Sequence, residues 1–122
     1  MAGLSAGDLF IDVVEQDQAT RLDWRGKSTD RHPASVIEPF LTPVIAEAAK
    51  KKHSVEMHFE KLAHFNSSTI GCLIQAIEQA RSVGVKLVLV YDDRLAWQRL
   101  SFDALRVFVK ENVLELTAVH DG

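Results

Sequence analysis

One cysteine, Cys72, stands in a chain of 122 residues, so an intrachain disulfide and a zinc site built on several thiolates are both excluded. Basic charge is also short. Against 17 Asp and Glu there are 14 Lys and Arg, a formal charge of −3 that argues against a nucleic-acid partner, whose phosphates need a cationic face. No eighteen consecutive apolar residues occur, so insertion into a membrane is not expected. The first thirty residues carry Asp8, Asp12, Glu15 and Asp17 and lack a basic start with an apolar run, so no signal peptide is read and a cytoplasmic location is expected. Gly-rich phosphate loops, a Gly-x-Ser-x-Gly elbow and a P-loop lysine are missing too, so nothing marks a nucleotide enzyme, and neither enzymatic activity nor a cofactor is expected. What is present is ordinary: 47% apolar and 25% charged residues, enough for one core and a single domain over residues 1–122.

Periodicity divides the chain. Residues 9–14 and 20–25 read as an antiparallel strand pair turning at 16–19, with Leu22 and Trp24 alternating against Arg21, Asp23 and Arg25. Residues 26–32 are polar, without period, and read as a loop ending at Pro33. Val36, Ile37, Phe40, Leu41, Val44, Ile45, Ala48 and Ala49 share one helical face, which predicts a helix over 34–52. Pro39 fits a first turn, whereas Pro43 is expected to kink the helix or delay its start. The run Lys50, Lys51, Lys52 falls at its C-terminus, where cations suit the helix dipole.

Residues 54–60 alternate, with Val55, Met57 and Phe59 on one face and Glu56, His58 and Glu60 on the other. After a connection over 62–66, a helix opens at Ser67 with a stripe of Ile70, Leu73, Ile74, Ile77 and Ala80, and Gly84 stops it. Residues 85–91 form the core strand, broken only by Lys86. Asp92 or Asp93 is expected to cap a third helix with Trp97, Leu100, Ala104, Leu105 and Phe108 along one side, and a strand over 113–119 follows. Strands alternating with helices predict an α/β fold: about five strands in a mixed, mainly parallel sheet, with helices chiefly on one face.

In such sheets functional groups gather beyond the carboxyl ends of parallel strands. Two stretches lie there, Asn66-Ser67-Ser68-Thr69-Ile70-Gly71 and Tyr91-Asp92-Asp93-Arg94. A serine at the helix start serves as a cap. The functional alternative to that first reading is a phosphorylation site at Ser67, because free amides and the positive end of the helix dipole accept a phosphate there. Asn66-Ser67-Ser68 also fits the N-glycosylation pattern, which a cytosolic chain never uses. Cys72, in the first turns of that helix and near His64 in sequence, is a conceivable nucleophile, although a small semi-buried residue is the simpler reading. The histidines His32, His53, His58, His64 and His120 lack the spacing of a zinc site, and Asp92 with Asp93 is read as helix capping before magnesium ligation. Leu95, Phe102 and Val109, seven apart, suggest either a partner surface or a wide core face.

The strand 55–59, the segment 62–71, the helix to Gly84 and the strand 85–91 together resemble the centre of the STAS domain, the fold of bacterial anti-sigma-factor antagonists. Its usual signature at the helix start, Asp-Ser-Ser-Gly, reads here Asn66-Ser67-Ser68-Thr69. Within that family the chain is most similar to STAS-like regulators of biofilm formation, which carry an Asn-Thr-Ser-Ser-Ile type motif and a Tyr-Asp-Arg-like stretch. Asn66 to Ile70 and Tyr91 to Arg94 match those places, and the chain's end after the last strand, without a final helix, agrees with that subgroup. The resemblance implies a non-enzymatic switch. Ser67 would be phosphorylated by a cognate serine/threonine kinase and cleared by a metal-dependent serine phosphatase. The unmodified form would bind an anti-sigma factor or a diguanylate cyclase through Asn66, Ser68, Thr69, Tyr91, Asp92, Asp93 and Arg94. Asn66 in place of Asp removes a negative charge beside Ser67, and Thr69 in place of Gly stiffens the backbone. Stand-alone STAS-like proteins also resemble accessory subunits of membrane lipid-transport complexes, and in that reading the serines are only caps.

Overall fold

Residues 2–119 are described by the computed structural model, and among them six strands alternate with three helices: β1 (Leu4–Ala6), β2 (Leu9–Glu15), β3 (Ala19–Ser28), α1 (Ala34–Lys51), β4 (Ser54–Phe65), α2 (Ser67–Ser82), β5 (Leu87–Asp92), α3 (Ala96–Ala104) and β6 (Leu114–Val119). A 3₁₀ turn, Leu105–Phe108, follows α3. The strands lie side by side in chain order. β1, β2 and β3 pair antiparallel, while β3, β4, β5 and β6 pair parallel, each parallel link crossing through one helix. The sheet is thus mixed and mainly parallel, as expected, with β1 as a strand too short to show alternation.

Alternation places the layers. Val55, Met57 and Phe59 of β4 are buried with Leu22 and Trp24 of β3 and Leu87, Leu89 and Tyr91 of β5. All three helices cover this face. Phe59 lies at its centre, with ring centroids 5.0 Å from Trp24 and 5.0 Å from Phe102 of α3. Phe102 in turn stacks on Tyr91 at 4.8 Å. Such pairs add about 0.5–1.5 kcal/mol each beyond the area they bury. The opposite face is closed by its own polar chains: His58 lies 3.2 Å from a carboxylate oxygen on each side, Glu56 and Glu60, and Arg21 pairs with Asp23 at 2.7 Å.

Four expectations are corrected. The polar residues Gly26, Lys27 and Ser28 are strand, not loop, and β4 runs on to Phe65 where a connection was expected. Both extensions pair with each other, Gly26 with Leu62 and Ser28 with Phe65, past irregularities in the register. Gly26 makes this feasible: its φ is +82°, and a Cβ there would lie 1.9 Å from the Asp8 carbonyl oxygen. Second, α1 starts at Ala34 without delay, which places Pro39 inside the helix and not in its first turn, with Pro43 one turn further on. The carbonyls those rings leave unbonded, of Ser35 and Pro39, belong to exposed residues, where water replaces the lost bonds.

Third, α3 is capped at Leu95 without a side-chain bond, because Asp92 belongs to β5. Fourth, of the expected stripe Leu105 is buried and Trp97 and Phe108 pack against the core, but Leu100 is 67% exposed and Ala104 is exposed, and the buried residues of α3 itself are Gln98 and Phe102. Phe102 is 0% exposed, so the Leu95, Phe102, Val109 series is no partner surface; Val109 lies beyond the helix altogether. Phe102→Ala should therefore cost about 3–5 kcal/mol in urea unfolding. Leu100→Ala should stay within about 0.5 kcal/mol of the parent.

Candidate functional site

The start of α2 hangs on the end of β3. β4 ends at Phe65, and the next amide, Asn66 N–H, donates to the Ser28 carbonyl at 3.0 Å, prolonging the strand pairing by one residue. Asn66 is the cap of α2. Its Oδ1 accepts the Thr69 amide at 3.0 Å, and its Nδ2 donates to the Asp30 carbonyl at 2.8 Å. Only an amide side chain does both; the Asp of the usual STAS signature has no proton for the second bond. Thr69 is fully buried, and its hydroxyl donates to Asn66 Oδ1 at 2.8 Å. That spends its one proton, so the 2.7 Å contact with Ser28 Oγ has Ser28 as donor. The chain Ser28 to Thr69 to Asn66 therefore locks the helix start from inside.

Ser67 and Ser68 take no part in this lock. Both are exposed on the first turn of α2, which holds no acidic residue. The expectation that a serine caps the helix is overturned, since Asn66 occupies that position. Beside the lock a cavity of about 190 Å³ opens, lined by residues that include Gly7, Asp8, Ser28, Asp30 and Pro33. It shares Ser28 and Asp30 with the helix anchor.

The second stretch is mostly interior. Tyr91 and Asp92 are buried, Asp93 is half-buried and Arg94 is exposed. The Tyr91 hydroxyl accepts from Arg106 Nη2 at 3.0 Å. Asp92 folds back on Arg94, accepting its backbone amide and Nε at 3.0 Å and its Nη2 at 2.9 Å. Two residues that no motif pointed to join the stretches. Gln98, wholly buried, accepts the Asp92 amide at 2.8 Å and donates to the Phe59 carbonyl at 2.6 Å, tying β5 to β4. Trp97 packs against Phe65 at 5.1 Å and His64 at 5.4 Å, directly before Asn66. The spacing of Gln98 and Phe102, four apart on one helical face, is the signal that could have found the first.

Cys72 is buried at 3% exposure. Desolvation pushes its thiol up from the usual value, and the charge of Glu38 adds to this, so the nucleophile reading fails. Among the described residues no three His, Cys, Asp or Glu side chains converge as metal ligands, and His120 lies outside those residues.

A mixed sheet with three parallel crossovers, helices on one face and a capped helix start after β4 defines the class, the STAS fold. No protein-family model matches the chain, and no curated protein matches it. Solved structures do. The anti-sigma factor antagonist SpoIIAA in its unphosphorylated form is similar with a TM-score of 0.54 at 14% identity, over 79% of this chain and 97% of that one. The Bacillus cell fate determinant SpoIIAA in the phosphorylated form gives a TM-score of 0.57 at 12% identity, over 91% of this chain and 92% of that one. At such identities the likeness establishes the shared fold.

Two outcomes follow. Asn66→Ala should lose about 1–2 kcal/mol in urea unfolding, and Ser67→Ala should stay within about 0.5 kcal/mol. Cys72 should resist a thiol-specific disulfide reagent in the native protein and react once urea unfolds it.

Proposed function

We propose that this chain is a phosphorylation-controlled protein–protein switch with Ser67 as its modified residue. The observation that carries this reading is the division of labour at the start of α2: Asn66 and Thr69 hold the helix, and Ser67 is exposed and structurally idle. A phosphate on Ser67 meets the positive end of the α2 dipole and disturbs no internal bond, so the fold tolerates it. The likeness to SpoIIAA supports the same picture, since the structures of its unphosphorylated and phosphorylated forms both share this fold.

The switch is electrostatic. A phosphoserine adds nearly two negative charges, which must lose water if the surface around Ser67, Ser68 and Arg94 is to be covered by a partner. Asn66 and Thr69 fix that surface from below. Tyr91, Asp92 and Asp93 shape its second half, with Arg94 held by Asp92. The resemblance to STAS regulators supplies the roles around it: a serine/threonine kinase that writes the mark, a metal-dependent phosphatase that removes it, and an anti-sigma factor or diguanylate cyclase that binds only the unmodified form. All act in the cytoplasm. No helix among the described residues is long and apolar enough to cross a membrane.

Ser67→Ala and Ser67→Asp test the switch together. Immobilised in turn and exposed to lysate of the native cells, Ser67→Ala should retain its partner and Ser67→Asp should retain on the order of tenfold less, with unchanged circular dichroism. Equal retention by two folded variants would refute the proposal.

A further inference from the structure

The two edges of the sheet are treated differently. β1, at one edge, is three residues long, and a short strand offers an incoming chain little to pair with. β6, at the other, is six residues long and lightly guarded: Leu114–Val119 contains no proline and no lysine, and its one charge, Glu115, pairs with Lys86 at 3.1 Å.

Its backbone bonds can be assigned by direction. The Val113 carbonyl accepts the Leu87 amide at 2.9 Å, so residue 113 and, by alternation, Glu115, Thr117 and Val119 turn their amides and carbonyls toward β5. Leu114, Leu116 and Ala118 turn theirs outward. Leu114 is already satisfied, because its amide donates to the Lys110 carbonyl at 3.0 Å and its carbonyl accepts the Lys110 amide at 3.3 Å. Among the described residues this leaves two amides and two carbonyls, those of Leu116 and Ala118, facing outward with no strand beyond them.

We propose that this edge pairs with the same edge of a second copy of the chain, antiparallel about a two-fold axis at Thr117. The set of open groups is self-complementary. Leu116 of one copy and Ala118 of the other exchange both their backbone bonds, twice over by symmetry, and every open group is used. Thr117 then faces Thr117 of the second copy, each hydroxyl donating to its own Glu115 at 3.0 Å, and Glu115 faces Val119. The alternatives are worse. A slip of two residues toward Leu116 demands the Leu114 groups that Lys110 holds, and a further two sets Glu115 against Glu115, a like-charge pair. Exposed Val107 and Val109 lie on the segment leading into the Lys110 bridge, which adds apolar surface at the same edge. In this arrangement the strands of the two copies run in opposite directions, so the two α2 starts lie at opposite ends of the joined sheet and both stay open. The inference rests on the β6 edge alone and is independent of the role of Ser67.

Sedimentation of the full chain across a concentration series should show the 13.6 kDa species give way to one of twice that mass. Ala118→Pro removes only an outward amide and should return the small species with an unchanged melting curve. Cysteine substitution fixes the register. Directly opposed Thr117 residues have Cα atoms about 4.5 Å apart, within disulfide reach, whereas two copies of residue 115 are separated by about four residues of strand. With native Cys72 buried, Thr117→Cys should form a covalent dimer on oxidation and Glu115→Cys should not. A 13.6 kDa species at every concentration up to about 1 mM, a dimer that survives Ala118→Pro, or equal cross-linking at 115 and 117 would each overturn the proposal. So would an Ala118→Pro-sensitive edge found to bind only a different protein. If Ala118→Pro does not fold, the cysteine pair alone decides.

Discussion

The parallel seam between β3 and β4 is the constraint on which the rest depends. It runs from Ala19 and Ser54 to Ser28 and Phe65, well beyond the last pair that β4 makes with β5, His58 with Val90. Because β4 leaves β5 and stays with β3, the start of α2 is delivered to Ser28 and Asp30. Gly26 permits this by accepting a left-handed φ where the Asp8 carbonyl allows no side chain. The Asn66 amide then bonds to Ser28 as one more rung of the seam, and the helix cap, the Thr69 hydroxyl and the adjoining cavity all take their position from it.

From that placement follows a separation between the residues that hold the helix start and the serines exposed on it. A helix N-terminus leaves several amides without partners, and residues that satisfy them are not easily altered without cost. Here Asn66 and the buried Thr69 take that duty, and Gln98 braces the neighbouring strand end from the core. Ser67 is left with its hydroxyl in water. Charge added at such a position changes what the surface can bind far more than it changes the fold, because the added phosphate stays solvated in the free protein and must be desolvated only at an interface.

How much of this was legible in the sequence varies by element. The alternation of Val55, Met57 and Phe59 marked β4, and the stripe ending at Gly84 marked α2, because each faces one core and one solvent layer. Gly26 to Ser28 carried no such mark: their pairing is dictated by β4, and a polar stretch looks the same paired or unpaired. In α3 the stripe of Trp97, Leu100, Ala104, Leu105 and Phe108 was right for Trp97, Leu105 and Phe108 and wrong for Leu100 and Ala104, since the helix also buries Gln98, whose partners are backbone groups invisible to a pattern. In α1 the first-turn placement of Pro39 misled for a similar reason, as the cost of a proline inside a helix depends on whether the exposed side can be solvated. The Asn66-Ser67-Ser68-Thr69 stretch was recognisable as a candidate site, but the groups that anchor it, Ser28 and Asp30, lie some forty residues earlier and are joined to it only by the fold.

The most direct test is phosphopeptide mapping of the untagged protein isolated from its own cells, with co-purifying proteins identified in the same sample. The account predicts phosphate on Ser67 in part of the population, and a binding partner that accompanies only the unmodified fraction. Ser67 unmodified under every growth condition, or a partner distributed equally between the two forms, would contradict it.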